Sequence, residues 1–399
     1  MDILITGGRL VDPAASLDAL RDLRLRAGRV AEIGEHLTPA TGEAIVDARG
    51  AVVAPGFIDM HVHLRAPGFP EKETIATGTE AAVRGGFTTI ACMPNTKPAL
   101  DDPRVLLTLV SDAQRWARCR IVPIGAITRG RAGAQPCDYA ALSAAGAVAF
   151  SDDGDTVADE GVLREAAHLA AAVSAPFIAH CEPEDAIVAR DLRVASETKK
   201  AWHIAHVSTA LSLDLLRAAR ERGTHVTCEV TPHHLTFTKA LFDARGAEAK
   251  VHPPLREPAD VEALRRGVRD GTVDALASDH APHTPAEKTG DPAVAAPGFS
   301  GLEVAVGAYA AALPDLPAMR FVELLTTNPA RILGLEAGSL AVGARADVTI
   351  FGDRQWTVDP AAFASKGKCT PFAGRVLPRK VLATIVGGAL VYHAQDFTP

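Results

Sequence analysis

The chain has 399 residues, 47% of them hydrophobic and 22% charged, proportions of an ordinary globular protein with room for one large domain and an appendage. A net charge of -7 and a pI near 6.1 give no electrostatic basis for binding nucleic acid or an anionic membrane surface. No apolar run approaches the roughly 20 residues of a membrane span, and Met1-Asp2-Ile3-Leu4-Ile5 carries no basic segment or cleavage site, so a cytoplasmic setting is expected.

Short strands separated by Gly, Pro and Asp turns are predicted near the start, over 3–5, 23–25, 30–33 and 44–46. The end of the chain has the same character, with strands over 347–351, 381–386 and 389–392. Two β-rich ends around a different middle predict a small composite β domain made of 1–54 and 336–399. From 55 to 335, short apolar strands alternate with helical stretches rich in Ala, Leu and Arg. The strands are expected over 57–63, 88–93, 121–127, 147–151, 177–180, 203–207, 225–231 and 275–278. Helices are expected between them over 74–84, 104–116, 162–173, 184–198, 211–222 and 260–269. Eight such units are the count of an α/β fold of the (β/α)8 TIM-barrel type, and the Gly-rich phosphate fingerprint of an open doubly wound sheet is missing.

A barrel of this kind does its chemistry where strands end. The first strand ends in His61-Val62-His63 with Arg65 beyond, and residues two apart share a face of a strand. The second is followed by Asn95, the fourth by Asp152-Asp153-Gly154, the fifth by His180, the sixth by His206 and the eighth by Asp279-His280 with His283 beyond. Four imidazoles and two carboxylates at one rim suit zinc, as one ion or two. Two ions need a bridging group, and no lysine stands between Lys97 and Lys199 to be carbamylated. Asp153 is the expected bridge, favoured by the backbone freedom of Gly154, with Asp152 as its competitor. A metal lowers the pKa of water to about 7, and Asp279 is placed to take the released proton and hand it to a leaving nitrogen. This is hydrolysis of a C–N amide bond, or its reverse. Six scattered cysteines without CxxC spacing read as reduced thiols and not as a disulfide framework.

The motifs 57–65 with Pro67-Gly68, Met93-Pro94-Asn95-Thr96, Ser151-Asp152-Asp153-Gly154, His203-Ile204-Ala205-His206, Thr231-Pro232-His233-His234 and Ser278-Asp279-His280-Ala281-Pro282-His283 together resemble type I dihydroorotases of the amidohydrolase superfamily. The resemblance implies that His61, His63, Asp153 and Asp279 hold one zinc, that His180 and His206 hold a second with Asp153 shared, and that Asp279 is the general acid and base. It implies substrate contacts from Arg65, Asn95, His283 and the Pro297-Gly298 pair, and from His252 where the family usually has asparagine. It raises a homodimer or an assembly with aspartate transcarbamoylase. The alternatives it leaves are a hydantoinase- or allantoinase-type enzyme and a non-catalytic scaffold for that transcarbamoylase. Two further departures are a short segment between His180 and His206 and Ala66 where glutamate is common. His233 and His234 are expected to pack behind the ligands, and His203 to be structural. The 282–301 loop is expected to be either a lid or an ordinary connection.

Overall fold

A computed structural model describes residues 2–398. The first strands, β1 (Ile3–Asp12), β2 (Leu17–Arg26), β3 (Arg29–Gly34), β4 (Ala44–Asp47) and β5 (Val52–Pro55), form one sheet with three strands from the other end of the chain. Between them run the barrel strands β6 (Phe57–Val62), β7 (Phe87–Cys92), β8 (Arg120–Gly125), β9 (Ala149–Phe150), β10 (Phe177–Ala179), β11 (Trp202–Ile204), β12 (Val226–Val230) and β13 (Ala275–Leu276). The C-terminal strands are β14 (Val348–Gly352), β15 (Trp356–Thr357), β16 (Val376–Leu377), β17 (Lys380–Val386) and β18 (Ala389–His393).

β6 to β13 pair side by side in chain order, all parallel. The barrel closes between first and last strands through a parallel bridge of Val62 with His280, where His63 N donates to His280 O at 2.8 Å. Every residue of β6 and β7 is buried, as expected of parallel strands covered on both faces. Met60, Ala91, Ile124, Ala149, Ile178, Ala205, Ala275 and Ala277 pack together with Leu333 from the helix Thr327–Leu333. A larger cluster joins strands to the outer helices, among them Leu106, Leu163, Leu213, Leu216, Leu264 and Val268.

The helices start where the sequence supplies caps. Thr74 caps Ile75–Arg84 in a reciprocal arrangement with Thr77, Asp102 caps Pro103–Trp116 and Asp159 caps Glu160–Leu169. The segment after His180 forms the expected helix, Glu184–Thr198. Helices Ala305–Ala312 and Ala318–Leu325 were not predicted; the first is buried nearly all round, so no amphipathic period marks it.

The terminal sheet runs in the order β18-β17-β14-β5-β1-β2-β3, with β4 also on β1. It has its own apolar core of Ile3, Ile5, Leu23, Val53, Val348, Ile350 and Ile385. β15 and β16 form a separate two-stranded ribbon from which the chain makes a long excursion, 359–373.

Candidate active site and metal centre

His61 lies in β6 and His63 just beyond it, while Asp153, His180, His206 and Asp279 follow β9, β10, β11 and β13. All six are buried. Asp153 is central. Its Oδ1 is 3.3 Å from Nε2 of both His61 and His63, and its Oδ2 is 3.1 Å from His180 Nδ1 and 3.3 Å from His206 Nε2. Asp279 Oδ1 completes the first group at 3.2 Å from His63 Nε2 and 3.6 Å from His61 Nε2. One carboxylate thus faces two imidazoles on each of its oxygens.

Asp152 points away. Its Oδ1 accepts from Ile127 N at 2.9 Å and Thr128 N at 3.1 Å, and its Oδ2 from the Thr128 hydroxyl. Gly154 is not what selects Asp153, since a Cβ there would meet only Asn95 Nδ2 at 4.0 Å. The selection comes from the loop after β8, which occupies Asp152.

The ring nitrogens away from the cluster have partners of their own. His61 Nδ1 donates to Glu229 Oε1 at 2.6 Å, and His63 Nδ1 to Asn95 Oδ1 at 2.8 Å. In a neutral ring this leaves Nε2 as a lone pair. Both lone pairs face carboxylate oxygens, acceptor against acceptor, an arrangement that is unfavourable in a buried place unless a cation lies between. The groups His61–His63–Asp279 and His61–Asp153–His206 each bring their ligand atoms within 4.8 Å of one another. Imidazoles oriented from behind and ionised carboxylates in front are the donors of a metal site, and these residues fit one. A proton as the cation shows the same pull. Burial opposes charge on His61, yet Asp153 and Glu229 raise its pKa well above the ordinary value. Burial would raise Asp279, but the His63 hydrogen bond and the charge of His61 hold it well below the usual carboxylate range.

His206, Asp279 and Arg65 adopt left-handed backbone, with φ of 33°, 46° and 57°. Non-glycine residues there cost about 1–3 kcal/mol each and persist where surroundings over-determine them.

Beside the cluster, Arg65 is buried, with Nε donating to Pro282 O at 3.2 Å and Nη2 3.2 Å from His283 Nε2. Burial lowers its pKa to about 10, which still leaves it charged at neutral pH. His283 Nε2 is 2.9 Å from Pro297 O. Burial first, and the Arg65 charge second, push this imidazole down to about 3, so it is neutral. Gly298, at φ 135°, packs where a Cβ would fall 2.6 Å from Ala281 Cβ, so the Pro297-Gly298 turn sits tightly against His283. Asn95 uses its carbonyl oxygen on His63, which leaves its amide nitrogen outside that contact. The His252 side chain is exposed and has no hydrogen bond among the described residues, and partial burial first, then the charges of His180, Lys250 and His206 against the pull of Glu182, lower its pKa. The 282–301 loop is tied down by buried Lys288, whose Nζ donates to Lys250 O at 2.8 Å and Ala296 O at 3.0 Å.

His234 is held by Thr231 Oγ1 and Pro253 O at 2.8 and 2.9 Å, and the His233 ring packs 5.3 Å from that of Phe299. His203 contacts Thr227 Oγ1 at 2.8 Å and lies 3.3 Å from Glu229 Oε2. Glu229 was missed in the sequence. The available signal was an acid within a strand expected to be buried, since such a charge needs a partner.

The model of the amidohydrolase family matches residues 52–391. A dihydroorotase of Pelotomaculum thermopropionicum is 44% identical, with 98% of each chain covered. One from an Anaeromyxobacter species is 42% identical with the same coverage, and one from Citrifermentans bemidjiense 39%, covering 99% of this chain and all of its own. Among solved structures, the L-hydantoinase (dihydropyrimidinase) of Arthrobacter aurescens superposes with a TM-score of 0.90 at 24% identity, covering 100% of this chain and 97% of its own. A dihydropyrimidinase from Brevibacillus agri gives 0.88 at 22%, covering 100% and 96%. At those identities the structures speak for the fold alone.

Proposed function

This chain belongs to the amidohydrolase family and groups with its dihydroorotases, and on that premise we propose that it is a zinc-dependent dihydroorotase, interconverting N-carbamoyl-L-aspartate and (S)-dihydroorotate in pyrimidine synthesis. It is a metal-dependent hydrolase of cyclic amide C–N bonds. The observation that carries the choice of substrate is the buried guanidinium of Arg65 beside neutral His283 at the rim of the cluster, a place for one carboxylate.

In this reading His61, His63, Asp153 and Asp279 would hold one ion, and His180, His206 and Asp153 would hold a second. Imidazole and carboxylate donors without thiolate favour zinc. When bound, the metal supplies Lewis acidity and lowers the pKa of water at this mouth. The chain's own residues do the rest. Arg65 pairs the substrate carboxylate, His283 and the Asn95 amide nitrogen hold its orientation, and the Pro297-Gly298 turn walls the far side. Asp279, kept ionised by its imidazole neighbours, takes the proton of the water whose oxygen bonds the carbonyl carbon, and delivers it to the ring nitrogen as the C–N bond opens. In the closing direction the same carboxylate removes a proton from the carbamoyl nitrogen as the C–N bond forms and returns it to the oxygen that leaves as water. Burial of the whole cluster keeps bulk water from competing.

A cytoplasmic setting belongs to the same proposal, supported by six free cysteines, five of them buried. The convergence of all six donors argues against a metal-free scaffold. Turnover of dihydroorotate, hydantoin and allantoin by the purified protein, with metal analysis on the same sample, tests the reading. The expected result is activity on dihydroorotate with zinc present; activity only on hydantoin or allantoin would overturn it.

A further inference from the structure

Val358 N donates to Arg375 O, and Gly374 N to Val358 O, both at 2.9 Å, so the excursion 359–373 leaves and rejoins the terminal domain at one point. In between it crosses to the barrel mouth and is tied along its length. Ala362 O accepts from Arg84 at 3.1 Å, Ala364 N and Ser365 N donate to Glu303 at 2.9 and 3.3 Å, and Cys369 O accepts from Ser300 N at 2.8 Å. Phe363 and Phe372 are buried against Phe237 and Phe299 of the barrel loops. At Gly367 a Cβ would fall 2.5 Å from Ser300 Oγ and 2.6 Å from Pro282 Cβ, so only glycine permits this approach to the loop that carries Pro282 and His283.

The excursion delivers Ser365 to a buried carboxylate. Glu73, before the helix Ile75–Arg84, is fully buried and accepts from the Ser365 hydroxyl, from Lys366 N at 3.2 Å and from the Thr77 hydroxyl. Its Oε2 is also 3.3 Å from His280 Nε2. His280 Nδ1 accepts from Gly301 N at 3.1 Å, which puts the ring proton on Nε2, pointing at Glu73. His280 directly follows Asp279, and its carbonyl takes the barrel-closing hydrogen bond from His63 N. On the other side of Asp279, Ser278 N donates to both oxygens of Asp59. Asp279 is therefore held in its left-handed conformation by anchors on the two flanking residues, and one anchor is completed from the terminal domain.

We propose that Glu73 is a positioning residue for Asp279, acting through His280, and that Ser365 completes the arrangement, so that the excursion 359–373 is a working part of the site. The proposal rests on the reading of Asp279 as the group that moves the proton. Neither Glu73 nor Ser365 is assigned as a ligand or a substrate contact, and Thr74 N, Thr77, Lys366 N and His280 are the groups that face Glu73 besides Ser365.

The test uses the full chain with Glu73→Gln, Ser365→Ala and the double variant. Glu73→Gln keeps the volume but turns one acceptor into a donor facing donors. It is expected to lower kcat about 10- to 100-fold with KM little changed, the range seen when groups behind a site are altered. Ser365→Ala should lose less, and the double variant no more than Glu73→Gln alone, because both act through one group. A second readout does not need turnover. Amide exchange in peptides covering 276–284 is expected to speed up in Ser365→Ala, although His280 and Ser365 are 85 positions apart. Additive losses, or exchange at 276–284 equal to the parent's, would overturn the proposal. A parent protein inactive on dihydroorotate would instead fail the functional reading, and the exchange comparison would still decide whether Ser365 reaches the Asp279 turn.

Discussion

Oε1 of Glu229 lies 2.6 Å from Nδ1 of His61, and Oε2 of the same carboxylate lies 3.3 Å from Nε2 of His203. A carboxylate behind an imidazole fixes the ring and makes its other nitrogen a better metal donor. Burial alone would raise the Glu229 pKa, but the charges of His61 and His203 bring it down to about 2. Glu229→Gln keeps the shape and removes the charge. Metal affinity, read by competition with a chromophoric chelator, should fall about 10- to 100-fold. Parent-like affinity in that titration would show that Glu229 serves packing only.

The two neighbouring aspartates should part company. Asp153→Asn removes the charge shared by four imidazoles, so the purified variant should carry little metal and turn over nothing measurable. Asp152→Asn should retain metal but lose stability by about 1–3 kcal/mol, because its carbonyl oxygen can keep the Ile127 and Thr128 N–H bonds while the buried Thr128 hydroxyl loses its acceptor to an NH2 group. Metal stoichiometry and thermal melting of the pair check both halves; the reverse pattern would mean that the bridge is misassigned.

Arg65→Met removes the partner of the substrate carboxylate. Hydrogen bonds to charged groups contribute about 1.5–3 kcal/mol, so kcat/KM for dihydroorotate should drop roughly 10- to 100-fold. Arg65→Lys should restore little, since an ammonium cannot reproduce the planar fork. Steady-state kinetics on the two variants decide the matter, and a lysine variant close to the parent would count against bidentate pairing.

Away from the mouth, Asp191 predicts a pH dependence of stability. It is buried beside Arg190, with Arg190 Nη2 2.7 Å from its Oδ1. Burial raises its pKa from 3.8 to about 6, against the opposing pull of Arg190. Between those values the folded protein holds a proton that the unfolded chain has released. Stability from this group is therefore full below about pH 4 and is lost as the pH rises to about 6. Asp191→Asn cannot titrate, so the parent should lose stability relative to the variant across that window, on the order of 3 kcal/mol. Urea midpoints at pH 4, 5, 6 and 7 measure it; a difference flat in pH would refute the assignment.

The sequence made the barrel and its rim legible because both rest on local patterns. Short, mostly apolar runs ending in His or Asp mark strand and rim together, and His61, His63, His180, His206 and Asp279 all follow from that one rule. What it could not show is anything set by pairing. The register of β6 against β7 slips between Asp59 and Val62, next to the imidazoles, so the simple alternation of an unbroken strand is not what aims them. That Asp153 and not Asp152 faces the imidazoles has a cause the sequence hides, the loop after β8 that claims Asp152. Glu229 and Glu73 escaped notice because their partners, His61 and Ser365, lie 168 and 292 positions away. The helix Ala305–Ala312 escaped because burial on all sides erases the period.

The excursion from the ribbon has a practical consequence for anyone wishing to trim this protein. The terminal sheet looks like a detachable accessory, joined to the barrel at both of its ends. Yet removing it to leave a minimal barrel would take away a wall of the mouth, including Ser365 and Gly367, together with the apolar packing of Phe363 and Phe372 against the barrel loops. Rearranging the order of the chain, with new termini in an exposed loop, would keep that wall where simple shortening would not.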